Sequence, residues 1–132
     1  MPQCCNDHEV LWLKLKPNRL PRGFCCIVIA VVYHPPGPDH HSFINHLFES
    51  MLIVKSLFST CGFIVAGDFN RVKPGILQRH IRLKQLVKSA TRGQAVLDLI
   101  LTNMAHFYSP PMTFPPFGRL TTTQFYPYEN AL

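Results

Sequence analysis

The stretch FIVAGDFNRVKPG at positions 63–75 changes its chemistry abruptly. Phe63 to Ala66 reads as a short buried strand, and Gly67 to Asn70 as the loop at its C-terminal end. Alternation along that loop sets Asp68 and Asn70 on one side and turns Phe69 into the core as an anchor. Open α/β sheets build their sites at the C-terminal ends of buried strands, where a loop is rigidly held and its face is open. A carboxylate beside an amide suits phosphodiester hydrolysis. The carboxylate orients and deprotonates water or holds Mg²⁺, while the amide donates to a phosphoryl oxygen as charge grows. The same spacing also suits an Asx-turn, in which both side chains only bond the backbone.

Upstream, Glu9 to Lys16 alternates at its end as a strand with one wetter face does, and PNRLPRG breaks it. CCIVIAVVY, Cys25 to Tyr33, is continuously apolar and β-branched, which predicts a central strand buried on both faces. HPPGPD ends it. Between Ser42 and Phe58, Phe43, Leu47, Met51, Val54 and Phe58 recur at helical spacing, with Phe48 and Leu52 widening the stripe, as in a helix packed on a sheet.

Downstream, a second helix is predicted over Ile76 to Lys88, with Ile81, Leu83, Leu86 and Val87 apolar. Arg71, Lys73, Arg79, Arg82, Lys84, Lys88 and Arg92 fall in one stretch without an acid. This run suits a polyanion such as nucleic acid, or serves as a solvated helix face. AVLDLIL, Ala95 to Leu101, reads as a buried strand with Asp98 in its middle. A carboxylate there requires a cation, a metal or several donors, since burying it alone costs several kcal/mol. After Asn103 comes a Pro-rich loop, SPPMTFPPFG, and then RLTTTQFYPYENAL, which shows neither periodicity.

A chain of 132 residues is enough for one compact domain and not two. At 47% hydrophobic and 15% charged it is too apolar for a disordered chain. The net charge is +6. Cys4, Cys5, Cys25, Cys26 and Cys61 make an odd set without C-x-x-C spacing, which predicts reduced thiols in a cytoplasmic or nuclear setting. Cys4, Cys5 and His8 lack a second pair at zinc spacing, so no metal ligand is assigned. The N-terminus has no signal-peptide pattern, and FCCIVIAVVY is too short to cross a bilayer as a helix. Neither secretion nor a membrane is expected, and the oligomeric state is open.

Four pieces in order carry a family likeness: VVYHPP at Val31 to Pro36, GDFN at Gly67 to Asn70, SATRG at Ser89 to Gly93, and LDLILTN at Leu97 to Asn103. Together they resemble the endonuclease/exonuclease/phosphatase superfamily, in its non-LTR (LINE-type) retrotransposon branch, from about Glu9 to Gly118. The resemblance implies an α/β fold with a two-sheet β-sandwich flanked by helices, four layers α/β/β/α. It implies a Mg²⁺-dependent DNA endonuclease in which Asp68 aligns or activates water and Asn70 stabilises the transition state. Tyr33 would then contact the scissile phosphate, and Asp98 would orient a histidine of a C-terminal Ser-Asp-His motif. Thr91 would touch the DNA backbone, with Arg71, Lys73 and Arg92 as further nucleic-acid contacts. A phosphatase or phospholipase of the superfamily shares GDFN but not the basic run or LDLILTN.

Two departures stand against full activity. The family's Asn-bearing first strand and metal-binding Glu have no counterpart before Glu9, which opens a strand without that context. Where Ser-Asp-His is due, the chain reads GRLTTTQFYP, Gly118 to Pro127. Deleting one base from a codon run for Gly-Leu-Ser-Asp-His-Asn-Thr-Val-Leu-Pro, third bases chosen freely, reproduces that text. The expectation is a partial domain over 1–118, incomplete at both ends, with an out-of-frame or non-native tail over 119–132. Source DNA without a shifted Ser-Asp-His codon run disproves the deletion. Loss of groups that act as one unit removes several orders of magnitude of rate, so an inactive remnant is expected. The alternative is a non-catalytic nucleic-acid-binding fragment.

Overall fold

A computed structural model of the chain describes residues 9–37, 40–91, 93–114 and 122–124. The continuous apolar run forms β2, Ile27–Tyr33, and the alternating one forms β1, Glu9–Leu15, paired antiparallel to it. Helix α1, His40–Leu57, carries the chain back over the sheet to β3, Gly62–Asp68, which lies parallel to β2. A long crossover is what a parallel pair requires, and the helical stripe after Ser42 supplies it. Helix α2, Gly75–His80, precedes the two-residue β4, Lys84–Gln85. Strand β5, Asp98–Thr102, runs antiparallel to both β3 and β4. The sheet order is therefore β1-β2-β3-β5-β4, mixed in direction.

The core lies between this sheet and the helices. Phe43, Ile44, Leu47 and Met51 of α1 are buried in one cluster with Val28, Ala30 and Val32 of β2, Phe63 and Val65 of β3, and Leu99 and Leu101 of β5. Ile44 is buried, while Leu52, expected to widen the stripe, is exposed. At the β1 edge Lys14 lays its ammonium 4.2 Å from the Phe58 ring centre, so its stem covers the helix end while the charge keeps a partner.

The opposite face differs from the expectation of a strand buried on both sides. Leu11, Leu13 and Leu15 of β1 pair across to Val31, Ile29 and Ile27 of β2, and Leu11 is 59% and Val31 45% exposed. Ile27 is buried on this face as well, but toward Tyr33 the strand is covered on one face only, which corrects the two-sided reading of Cys25 to Tyr33, because the helices pack on the other side. A mixed α/β architecture is what stands, with one five-stranded sheet and two helices.

The second helix is shorter than predicted. Arg82 takes a left-handed φ of 61° and Leu83 donates its N–H back to the Leu77 carbonyl at 3.4 Å. The chain thereby turns out of α2 and joins the sheet edge. Ile81, Leu83 and Val87 are buried at two-residue and four-residue intervals, a pattern that serves an edge strand as well as a helix. Strand β5 starts at Asp98 rather than enclosing it, and β3 extends through Asp68. Strand β6, Met112–Phe114, pairs antiparallel with β7, Thr122–Gln124, so the segment without periodicity contributes three strand residues. The remainder of 119–132 lies outside the described residues.

Candidate functional site

The residues singled out in the sequence gather where β3 ends. Glu9 pairs with Tyr33, Tyr33 lies beside Asp68, and Asp68 is opposite Asp98, one row across four strands on the face away from the helices. Strands about 4.8 Å apart make Asp68 and Asp98 immediate neighbours and leave Glu9 roughly 10 Å from Asp68. Glu9 thus stands apart from the carboxylate pair. Among the described residues no group of three or more His, Cys, Asp or Glu could hold a metal ion.

Backbone geometry explains the Gly before the Asp. Gly67 has φ +142°, and a Cβ there would lie 1.9 Å from the Val32 carbonyl oxygen. Only a residue without a side chain lets β2 and β3 close up at this point, next to Asp68.

Asp68 is only 9% exposed, and its Oδ1 accepts the Asn70 N–H at 2.9 Å. The Asx-turn is therefore realised, and it orients the carboxylate. Asn70 adopts φ 50°, a left-handed conformation that Asn tolerates, and its Nδ2 donates to the His34 carbonyl. An NH₂ group carries two donors, so this bond does not exhaust it. The His34 N–H donates to the Asp68 carbonyl and the Phe69 N–H to the Leu97 carbonyl, both at 2.9 Å. Phe69 is fully buried as expected, its ring edge-on to Phe43 at 5.9 Å. The loop is clamped on both flanks and pinned underneath.

Tyr33 is 46% exposed at the end of β2, one strand from Asp68. Thr91 is buried, and its Oγ1 accepts the N–H groups of Leu97 at 3.1 Å and Asp98 at 3.2 Å. Its hydroxyl thus shapes the chain entering β5 and turns away from solvent. Arg71 and Lys73 are exposed just past the Asx-turn. Arg92, like Cys4, Cys5 and His8, lies outside the described residues.

Two features escape the sequence reading. His34 is buried against the Phe43 ring at 4.5 Å, with its Nε2 2.9 Å from His40 Nδ1. The signal was the His inside VVYHPP, between an aromatic strand end and two prolines. At the other end of β5, Thr102 Oγ1 donates to the Phe63 carbonyl at 2.6 Å, and Asn103 Oδ1 accepts the Phe63 N–H at 2.8 Å. The last residues of LDLILTN therefore lock β5 to the start of β3, which holds Asp98 in register with Asp68.

Chemically the end of the sheet offers two neighbouring carboxylates, a carboxamide and a phenol. Carboxylate oxygens are the ligands hard cations take, and Mg²⁺ uses one or two of them with water and phosphate completing its shell. Asp68 and Asp98 fit that donor chemistry. Cys25, Cys26 and Cys61 are free thiols. No helix among the described residues is long and apolar enough to cross a membrane. No family model matches the chain, and no curated protein matches it.

Proposed function

We propose that this chain descends from a Mg²⁺-dependent DNA endonuclease of the retrotransposon type and is itself a nucleic-acid-binding remnant with little or no hydrolytic activity. The observation that carries the reading is the direct pairing of Asp68 with Asp98, with Tyr33 one strand away and Asn70 held over the same end of the sheet. In this reading Asp68 aligns the attacking water, and Asn70 donates to a phosphoryl oxygen as it gains charge. Tyr33 reaches the scissile phosphate and Asp98 backs the site. Bound Mg²⁺ would neutralise charge on the phosphate. Exposed Arg71 and Lys73 hold the polyanion beside it.

The finer architecture belongs to the same proposal: a second sheet stacked on the first, giving four layers. Exposed Leu11, Leu13, Leu15 and Val31 support it, since an apolar sheet face is stable when covered at about 10 Å by another layer. Weak hydrolysis follows from the text after Gly118, where GRLTTTQFYP supplies neither the histidine nor its acidic neighbour. General acid/base groups of this kind contribute about 10² to 10⁴ in rate.

Supercoiled-plasmid nicking with and without Mg²⁺ tests the reading, comparing the chain with Asp68→Ala and with a tail restored to Ser-Asp-His. No nicking by the chain itself, together with salt-dependent DNA binding that survives Asp68→Ala, is expected. Metal- and Asp68-dependent nicking by the unmodified chain would overturn its inactivity. Absence of any DNA binding would overturn the nucleic-acid reading.

A further inference from the structure

The basic run does not form the helix face that its spacing allows. After Arg82 reverses direction, Lys84 enters the sheet edge opposite Thr102, and the Gln85 side chain bonds Val87 twice, Nε2 to its carbonyl at 2.8 Å and Oε1 from its N–H at 2.6 Å. This local ring holds the backbone from Lys84 to Lys88 in one shape. Lys84 and Lys88, both exposed, then line one wall of a cavity of about 290 Å³. Its other wall comes from the segment 105–111, with Tyr108, Ser109 and the prolines Pro110 and Pro111.

A second, shallower depression of about 400 Å³ lies over Asn70, Arg71 and Lys73, and it shares Gln85 and Lys88 with the first. Gln85 and Lys88 thus border both, which places the lysines of the cavity next to the basic residues that follow Asn70.

We infer that the cavity between Lys84, Lys88 and Tyr108 is a second phosphate subsite, which grips the backbone of a nucleic-acid strand at a distance from Asp68. The inference rests on the nucleic-acid reading above and deepens it. Lys84 stands opposite Thr102 and Asp68 opposite Asp98, four residues apart along β5. At about 3.3 Å per residue this is roughly 13 Å along the strand, and β3 and β4 flank β5 about 10 Å apart, which makes a separation of roughly 16 Å. A strand in a duplex advances about 3.4 Å per nucleotide, so the subsite meets a phosphate roughly five nucleotides from the one at Asp68.

The chemistry of the lining fits a phosphate rather than a base edge. Lysine ammonium groups are compact point charges that hold phosphate without reading sequence. Burial pushes the Tyr108 phenol up from its ordinary range, so it stays protonated at neutral pH and adds no negative charge to the lining. Ser89 and Ser109 add hydroxyls to the same lining. Among the described residues no acid lines this cavity or the depression beside it.

The test is fluorescence anisotropy of a labelled duplex of about 20 base pairs over roughly 50 to 200 mM salt. The full chain is compared with Lys84→Gln/Lys88→Gln, with Lys84→Arg/Lys88→Arg and with Arg71→Gln/Lys73→Gln. The glutamine pair at 84 and 88 should flatten the slope of log affinity against log salt by about two and weaken binding about tenfold or more, equally for unrelated sequences. The arginine pair should keep the wild-type slope, and unchanged thermal melts should exclude unfolding. Wild-type slope and affinity in Lys84→Gln/Lys88→Gln, with losses confined to Arg71→Gln/Lys73→Gln, would overturn the subsite and leave the nucleic-acid reading standing. Failure of the wild-type chain to bind would overturn both. Inorganic phosphate that shifts the Tyr108 ring signals in NMR, without being displaced by DNA, would replace the strand assignment with a free-anion site.

Discussion

Asp68 and Asp98 stand directly opposite each other in the ladder between β3 and β5. Their Cα atoms are about 5 Å apart, as in any antiparallel pair, on the face that the helices leave open. Two carboxylates at this separation are an arrangement that packing alone does not favour, because like charges directly opposite destabilise a sheet.

Asp98→Asn removes one of the two charges, keeps the shape of the side chain and leaves the Asx-turn at Asp68 intact. Relief of the repulsion is worth about 0.2 to 1 kcal/mol, whereas Asp98→Ala also removes whatever the side chain bonds, so urea denaturation should find the asparagine variant the more stable of the two. Equal stability of the two variants would mean that the Asp98 side chain contributes only its charge.

Gly67→Ala tests the close approach beside the site. Its new Cβ would collide with the Val32 carbonyl, part of a backbone that cannot swing aside. Left-handed strain and steric overlap together should cost at least about 3 kcal/mol. A thermal melt within a degree of wild type would mean that β2 and β3 are further apart than described.

Thr91 separates a backbone role from a surface one. Thr91→Val preserves the volume but leaves the half-buried N–H groups of Leu97 and Asp98 without their acceptor. A fully buried donor left unpaired costs about 1 to 3 kcal/mol, so a drop of at least about 1 kcal/mol is expected for this half-buried pair, whereas Thr91→Ser should stay close to wild type. Equal stability of the two variants would remove the hydroxyl from the account.

The thiols at the far end of the sheet should differ in reactivity. A hydrogen bond from the Thr60 side chain holds the exposed Cys25 thiol below its ordinary range. Burial pushes Cys26 up and Cys61 up to about 11. Peptide-resolved iodoacetamide labelling at neutral pH should modify Cys25 well before Cys61. The Cys61 rate should then rise about tenfold per pH unit until the pH nears its pKa, because the thiolate is the reacting species. Equal rates at the two sites would show that neither Thr60 nor burial controls them.

Much of this arrangement was legible in the linear text. The helical stripe from Phe43 to Met51, the apolar runs at Ile27 and Phe63, and the buried Phe69 between two polar neighbours all follow from periodicity, since each element buries one side of itself. That Asp98 belongs to the same site as Asp68 was expected only from a family likeness, and their direct pairing was not foreseen at all. Periodicity shows that a residue faces a given side of its own strand, but not which strand lies next to it.

What the amino-acid order determined by itself was the set of elements around the site and the residue types at its centre: a Gly where β2 and β3 must touch, an Asp and Asn to close a turn, and an acid-free basic stretch behind them. Tertiary structure decided the rest. The basic stretch leaves its helix at Arg82 because β5 offers an unpaired edge, and a two-residue ladder with Thr102 and Leu101 satisfies backbone groups that the helix's short-range bonds would otherwise have held. Which face of the sheet is covered was likewise decided globally. The strands are apolar on both sides, and only the return path of α1 selects the side that becomes core.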